Sequence, residues 1–423
     1  MNRSKFQRDG ESSLLCLYYP QQLLPGLAAV MSYRRHHGRD VKAPLTVLVW
    51  SHPATVHKTR ARRLQAFKML LEGFPWATLF FPEQNEVKAH LSHNSRVMRK
   101  ADYLRGKYGL NAFTAVYFAH DISADFIAQS AMQAFPNAVR ICFGDALGVV
   151  YSNDYFTDHT YAVGAAEALS RPMQTIRNLL FRLKRVWTLP SRSRRLNAEH
   201  AVLILPCDPG GDFLRGKQLL LVDIASLTEV LNTLSEATSL SINGKYNTSA
   251  DRQNAVVILL GSYSESKLTT EGQERDLYTQ AARENIAKNQ KIVLKPHPAS
   301  SAEKTLRIQR ALSAAYTVEI EDYDELPAEF IPALAEFDCV ISFSYSSVSL
   351  KYLYGIDVLH ALTDEMIKTY FPVKSWSWMR NSNDLYLEQL IAITGWNAAR
   401  TSQPATTGTY GQSAILAGKL KCN

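Results

Sequence analysis

The sequence predicts an α/β fold made of two Rossmann-like domains that face a central cleft. Short apolar runs alternate with longer segments of helical spacing in both halves of the chain, a pattern typical of parallel sheets covered by helices. The length of 423 residues suits two domains of about 200 residues each. Ligands of such sheets bind beyond the carboxyl ends of the strands, so functional residues are expected just after the apolar runs.

The apolar runs locate the strands. Strands are predicted over 13–19, 45–50, 77–81, 113–118, 139–143, 201–206, 255–260, 291–296, 316–321, 339–343 and 357–362. Helical spacing is found between some of them, over 57–73, 84–107 and 122–134. A basic stretch broken by Pro190 predicts the linker. The parts of the chain are therefore an N-terminal domain, a C-terminal domain, and a helix with a flexible tail, over 1–195, 196–385 and 386–423.

Composition and cysteine usage predict a soluble, cytoplasmic protein. Hydrophobic residues make up 46% and charged residues 20% of the chain, so it can bury real cores and is not disordered. The five cysteines are scattered without a CxxC pair, which argues against a disulfide framework and a zinc site. The sequence contains no run of about 18 apolar residues, so no membrane helix is predicted. The formal charge of +8 suits an acidic partner.

A histidine between two prolines follows the predicted strand 291–296. The segment KIVLKPHPASS places Lys295 and His297 at the carboxyl end of this strand. The prolines keep the backbone around the imidazole extended, which fixes a titratable ring at the sheet edge. The alternative interpretation is a turn in which the prolines only end the strand.

A serine-rich turn follows the predicted strand 339–343. Ser346 and Ser347 lie between this strand and a short helix, for which Gly355 is the expected C-cap. Hydroxyl and backbone N–H groups at a helix start can bind a phosphate, although a plain serine N-cap is also common. Glu329, in the loop before the strand, either accepts hydrogen bonds from ribose hydroxyls or belongs to a solvated acidic loop.

An aspartate between glycines follows the predicted strand 139–143. The segment GDALG at 144–148 allows close backbone approach and puts Asp145 at the cleft edge. A carboxylate there can deprotonate an acceptor hydroxyl, whereas an Asx-type turn is the alternative. Gly261, after the predicted strand 255–260, is a candidate for close approach to a donor sugar or phosphate.

Taken in order, these motifs resemble those of bacterial sialyltransferases of the lipooligosaccharide and polysialic acid groups. That family carries an acidic pair followed by glycine, then His-Pro, then a pair of serines. This chain has, in sequence, GDALG at 144–148, His297-Pro298, Pro327 with Glu329, and Ser346-Ser347. The resemblance covers 255–362 well and the first half only through GDALG. It departs from the family at Gly144, which leaves Asp145 as the one carboxylate of the first motif.

The resemblance implies a GT-B type enzyme that transfers sialic acid from CMP-sialic acid with inversion, without a metal or a cofactor. Asp145 would be the catalytic base, and His297 would stabilise or protonate the departing CMP phosphate. The phosphate would be held by Ser346 and Ser347, and the ribose by Glu329 with Lys295 nearby.

The resemblance also suggests the partners and the location of the protein. The N-terminal domain would bind the acceptor, an anionic glycan or glycolipid of capsule or lipooligosaccharide type, and the C-terminal domain would bind the nucleotide-sugar donor. Such glycans are made at the inner face of the bacterial plasma membrane, which raises the hypothesis of peripheral contact there.

Other functions fit the sequence less well. The same fold with CMP-Kdo or a UDP-sugar as donor is the nearest alternative, and donor-binding tests would separate these. A non-catalytic module that binds a nucleotide sugar or glycan is favoured by the missing acid at Gly144 and opposed by the retained Asp145 and His297. Nucleic-acid binding rests on charge alone and ranks last, so no nucleic-acid partner is expected.

Overall fold

Two parallel sheets form the framework of the protein. The computed structural model describes residues 12–50, 57–91, 97–122, 125–145, 147–149, 197–206, 217–242, 255–298, 300–321, 326–331, 337 and 339–401. Contacts divide the chain into two compact units, and the described residues up to 241 belong to the first and those from 242 to the second. The predicted fold class, α/β with two Rossmann-like domains, is confirmed.

The first unit contains a seven-stranded parallel sheet. Its strands are β1 (Ser13–Leu17), β2 (Leu45–Val49), β3 (Ala77–Phe80), β4 (Ala115–Phe118), β5 (Val139–Cys142), β6 (His200–Leu203) and β7 (Gln218–Leu221). They lie in the order β3-β2-β1-β4-β5-β6-β7. β1 is buried at all its positions, as expected of a central parallel strand covered on both faces. The strands up to β3 extend the sheet on one side of β1, and those from β4 onwards extend it on the other. This strand reversal between β1 and β4 is where ligands of such sheets bind.

Helices cover this sheet. They are α1 (Leu23–His36), α2 (His57–Leu71), α3 (Val97–Tyr108), α4 (Phe126–Ala134) and α5 (Ile224–Ile242). The predicted helix over 84–107 is interrupted, since a short helix at Gln84–Glu86 and a π turn at Val87–Leu91 precede α3. One apolar cluster joins α3 and α4 to the sheet through side chains such as Leu104, Phe118 and Phe135.

The second unit repeats this architecture on a smaller scale. Its strands are β8 (Ala255–Leu259), β9 (Lys291–Lys295), β10 (Thr317–Ile320), β11 (Cys339–Ser342) and β12 (Val358–His360). They are parallel and lie in the order β10-β9-β8-β11-β12. The strand reversal, where the strand order changes direction, therefore falls between β8 and β11. Its helices are α6 (Glu271–Asn285), α7 (Ala302–Leu312), α8 (Val348–Tyr354), α9 (Asp364–Tyr370) and α10 (Val373–Thr401).

The predicted boundary at residue 195 differs from the observed division. The segment 201–206, which the sequence assigned to the second domain, contributes β6, and β6 pairs with β5 of the first sheet. β7 then extends the same sheet, and α5 follows it. The first sheet therefore takes two strands that lie after the predicted linker.

The C-terminal part also begins earlier than predicted. α10 starts at Val373 rather than near residue 386, and the proposed flexible tail after residue 401 lies outside the described residues. Three of the five cysteines, Cys16, Cys142 and Cys339, are described, and none of these three is in a disulfide. In the described part of the chain, no helix combines the length and apolar character that a membrane crossing requires.

Packing of α10 against the sheet should make the second unit sensitive to acid. His360, at the end of β12, stacks on Tyr386 with ring centroids 4.2 Å apart and pairs with Asn383 Oδ1 at 2.8 Å. Burial lowers the pKa of His360 below its ordinary value, although the hydrogen bond with Asn383 opposes this. The unfolded chain therefore takes up this proton more readily, so stability should decrease as the pH falls through about 6.5.

The change in stability between pH 7.5 and pH 5.5 measures this effect. We expect the urea midpoint of the second unit to be lower at pH 5.5 than at pH 7.5, and His360→Gln to reduce that difference. An unchanged difference in the variant would assign the acid sensitivity to other groups.

Candidate functional site

The carboxyl edge of the second sheet gathers the predicted donor residues. His297 follows β9, Gly261 follows β8, and the serine turn 344–347 follows β11. Because β9, β8 and β11 are consecutive in the sheet, these three segments are neighbours along one edge. Gly261 and the serine turn lie on the two sides of the strand reversal. The fold therefore brings together motifs that are far apart in the sequence at a place suited to ligand binding.

The His-Pro segment forms a turn that leads into α7. The carbonyl of His297 accepts from the backbone N–H of Ser300 at 2.8 Å, and the side chain of His297 is partly exposed. Lys295 is 5% exposed, and its Nζ donates to Pro296 O at 3.3 Å. Ser301 then caps α7, since its Oγ accepts from Lys304 N at 3.1 Å. His297 therefore lies in a hydrogen-bonded turn just beyond the end of β9, and its role in catalysis stays a prediction.

The serine turn is organised by its own hydroxyl groups. Ser342 Oγ and Ser347 Oγ both donate to Ser344 O, at 3.1 and 2.9 Å. Ser347 precedes α8 without capping it through its side chain, so the simple N-cap interpretation does not describe this serine. Gly355 is the C-cap of α8 with a φ of 70°, as expected. The side chain of Ser346 lies outside the described residues, and binding of a phosphate at this turn stays a prediction.

Glu329 lies against the helix that follows the serine turn. Ser349 Oγ, in the first turn of α8, donates to Glu329 Oε1 at 2.6 Å. The Tyr354 hydroxyl donates to the backbone carbonyl of Glu329. The carboxylate is therefore not part of a freely solvated loop, and these contacts fix its position beside the serine turn. Its contact with a ribose stays a prediction.

A buried ion pair beneath Gly261 supports the donor edge. Lys304 Nζ donates to Glu274 Oε1 at 2.9 Å, to Glu265 Oε2 at 2.7 Å and to Gly261 O at 3.0 Å. Lys304 and Glu274 are 2% and 0% exposed. Tyr278 accepts from Gly261 N at 2.6 Å, and burial raises the pKa of its hydroxyl well above the ordinary value.

The position of Gly261 requires glycine for a steric reason. A Cβ atom there would lie 2.9 Å from the ring of Tyr263, whose hydroxyl donates to Phe343 O at 2.6 Å. Both backbone polar groups of Gly261 bind protein groups, so its role in this structure is close packing of the loop. The predicted approach of Gly261 to a donor stays a prediction.

In the first unit, Asp145 lies in a tight turn at the end of β5. Asp145 N donates to Val149 O and Val149 N to Asp145 O, both at 2.8 Å. Gly144 has a φ of 74°, and a Cβ atom at this position would lie 2.8 Å from the backbone of Gly148. An acidic side chain does not fit at residue 144 in this turn. This packing explains physically why the first motif of the chain retains a single carboxylate.

Asp145 is oriented from the end of β1. Gln22 is 1% exposed; its Oε1 accepts from Tyr18 N at 2.9 Å, and its Nε2 donates to Asp145 Oδ1 at 3.4 Å. The Tyr18 hydroxyl donates to Asp125 Oδ1, and burial raises the pKa of Asp125 above its ordinary value. Hydrogen bonds therefore connect Asp145 through Gln22 to Tyr18, which follows β1 at the strand reversal of the first sheet.

The residues that support the candidate site have no clear signal in the sequence. Lys304, Glu274 and Gln22 occur in segments without a recognisable motif, and nothing in the sequence distinguishes them from exposed polar residues. The weak signal is the i,i+4 spacing of Glu274 and Tyr278 on one face of α6. All the predicted donor residues belong to the second unit, and Asp145 belongs to the first.

Two units, each with a helix-covered parallel sheet whose strand ends carry predicted motifs, are typical of GT-B type glycosyltransferases. A family model described as alpha-2,8-polysialyltransferase matches residues 75–363, more than half of the chain. The chain therefore belongs to the alpha-2,8-polysialyltransferase family and is a glycosyltransferase of the sialyltransferase type. The match includes Asp145, His297 and Ser347. A search of curated proteins finds no match.

Several solved structures match the chain at low sequence identity. UDP-GlcNAc 2-epimerase from Neisseria meningitidis, bound to UDP-GlcNAc, has 9% identity and a TM-score of 0.45, covering 92% of this chain and 100% of that chain. A glycosyltransferase from Rickettsia africae has 10% identity and a TM-score of 0.34, covering 92% and 97%. A heptosyltransferase from E. coli has 13% identity and a TM-score of 0.32, covering 89% and 99%. The family assignment rests on the family model.

Proposed function

We propose that this protein is an inverting, metal-independent sialyltransferase that moves sialic acid from CMP-sialic acid to an anionic glycan acceptor. The observation that carries the proposal is the shared edge at the ends of β9, β8 and β11, where His297 and the serine turn lie near the strand reversal. A nucleotide phosphate at this edge would lie within reach of an imidazole, hydroxyl groups and backbone N–H groups. The membership of the polysialyltransferase family supports the same donor.

The proposed reaction is one displacement. The oxygen of the acceptor hydroxyl attacks the anomeric carbon of sialic acid while the bond to the phosphate oxygen of CMP breaks. Asp145 accepts the proton of the attacking hydroxyl, and His297 donates a proton or a hydrogen bond to the departing phosphate. Hydrogen-bond donors aimed at the phosphate stabilise the negative charge that develops on it, so its neutralisation does not require a metal.

The binding roles follow the predicted motifs. Ser346 and Ser347 hold the phosphate, Glu329 accepts from the ribose hydroxyls, and Lys295 contributes positive charge nearby. The net charge of +8 suits an acceptor of capsule or lipooligosaccharide type. We infer from such an acceptor that the enzyme works in the bacterial cytoplasm, with peripheral contact at the inner face of the plasma membrane.

Release of CMP tests this proposal directly. We expect the native chain to release CMP from CMP-sialic acid in the presence of a sialylated acceptor, equally with and without EDTA. His297→Asn should lower this rate by about 10²- to 10⁴-fold through loss of proton transfer to the leaving group. Release of nucleotide only from CMP-Kdo or a UDP-sugar would show that this other nucleotide sugar is the donor. Loss of activity in EDTA would contradict metal independence.

A further inference from the structure

Glu321 is a buried carboxylate at the donor edge that has no role in the mechanism above. It follows β10, and its backbone N–H donates to Leu294 O at 2.9 Å, which continues the pairing of β10 with β9. The residue is 8% exposed, and Oε2 is buried without a hydrogen-bond partner among the described residues. A buried carboxylate oxygen without a donor is unfavourable, and a ligand that supplies an N–H or O–H group here would remove this cost.

The neighbour of Glu321 on the next strand is Lys295. Ile320 and Leu294 are paired in register and pack into the same apolar cluster. Since side chains alternate along a strand, Lys295 and Glu321 both follow on the opposite face. Both are more than nine-tenths buried, and Lys295 Nζ donates to Pro296 O at 3.3 Å. The edge therefore presents a hydrogen-bond donor and an acceptor side by side.

This pair has the hydrogen-bonding pattern that recognises cytosine. The base offers its N4 amino group as a donor beside acceptors at N3 and O2, and carboxylates are suited to the N4 amino group. Uracil has an acceptor, O4, in place of that amino group, so a carboxylate would face a carbonyl oxygen. The strand order puts the serine turn three strands from β10, about 14 Å at the usual spacing. A nucleotide can therefore lie along the edge with its phosphate at the serines and its base towards β10.

We propose that Glu321 is a specificity-determining residue that accepts a hydrogen bond from the cytosine amino group of the donor. This inference rests on the proposed function, because it assumes a cytidine nucleotide at the donor edge. In addition to the proposed function, it names Glu321 as the group that distinguishes a cytidine donor from a uridine donor.

Binding of CMP and UMP, measured by titration calorimetry, tests the proposal. We expect the native chain to prefer CMP, and Glu321→Gln to weaken CMP binding by about ten- to a hundredfold. The amide of the variant can donate to O4 of uracil, so UMP binding should stay unchanged or improve. Glu321→Asp, which keeps the charge on a shorter side chain, should bind CMP more weakly and still prefer it to UMP.

The matched control is Glu319→Gln, two residues earlier in the chain and within β10. Glu319 is exposed and pairs with Lys291 at 2.7 Å, so this variant should keep the native preference. Without nucleotide, Glu321→Gln should unfold at the native temperature or above it, because the atom that replaces Oε2 has no hydrogen-bond partner to lose among the described residues; a merely structural carboxylate would give a lower temperature.

The outcomes separate this inference from the proposed function. An unchanged ratio of CMP to UMP affinity in Glu321→Gln would overturn the role of Glu321 and leave the proposed function intact. If the native chain binds neither nucleotide, or binds UMP better, the cytidine donor itself is contradicted and this inference falls with it.

Discussion

Asp145→Asn should lower kcat/KM for sialyl transfer by about 10²- to 10⁴-fold, the usual contribution of a general base. Asparagine retains the size of the side chain and an oxygen that can accept from Gln22 Nε2, now at 3.4 Å from Asp145 Oδ1. The turn around it is made by backbone hydrogen bonds to Val149, which the substitution does not change. The amide cannot take up the acceptor proton, so chemistry should be lost while the fold remains. Steady-state kinetics with CMP-sialic acid and a sialylated acceptor measure the effect.

Binding of CMP distinguishes a catalytic effect from a structural one. Because Asp145 belongs to the first unit and the donor residues to the second, CMP affinity should stay at the native value in Asp145→Asn. Asp102→Asn is a suitable control, since Asp102 is an exposed residue of the same unit that pairs with Arg105 at 3.1 Å. A variant that keeps activity within a few-fold of native would exclude Asp145 as the base.

The strands were predictable because buried parallel strands are continuous apolar runs. Each predicted strand corresponds to an observed one, as in β9 and β11, whose ends carry His297 and the serine turn. Apolar runs of this length bury both faces, and their ends are marked by proline, glycine or serine. The order of the strands along the edge was not predictable, because it depends on pairing between distant segments.

β7 shows what the local pattern could not predict. Its residues Gln218–Leu221 are exposed or partly exposed, as expected of an edge strand, and the preceding segment is rich in glycine and charge. A short edge strand of this kind gives a weak signal. β7 pairs with β6, and β6 pairs with β5. The first unit therefore includes strands that lie after the predicted linker.

The sequence indicated the candidate residues at the strand ends, but it did not indicate the buried residues that pack beneath them. His297, Asp145 and the serines were found because proline, glycine and serine punctuate the ends of strands. Lys304 and Glu274 have no such signal, since a charged residue on a helix is usually solvated. Their burial results from the packing of α6 and α7 on the same face of the sheet, which is a tertiary property.

Lys304→Met should destabilise the second unit by about 3 kcal/mol or more, the usual cost of leaving one partner of a buried ion pair uncompensated. Glu274 would retain the backbone N–H of Ser264 at 2.8 Å but lose the ammonium at 2.9 Å. The carbonyl of Gly261 would lose the same donor, so the loop between β8 and α6 should loosen. Urea denaturation, with hydrogen exchange of peptides from 255–312, reports this unit by itself.

Arg307→Met is the matched control on the same helix. Arg307 pairs with Glu271 at 2.7 Å and with Glu303 at 3.1 Å, but all three side chains are exposed, so this variant should lose less than about 1 kcal/mol. The comparison isolates burial, since both substitutions remove a cation from α7 and add a methionine. If both variants were equally mild, the buried pair would not stabilise the donor edge. If Lys304→Met alone loses stability and CMP affinity together, the pair connects the folding of this unit to its donor site.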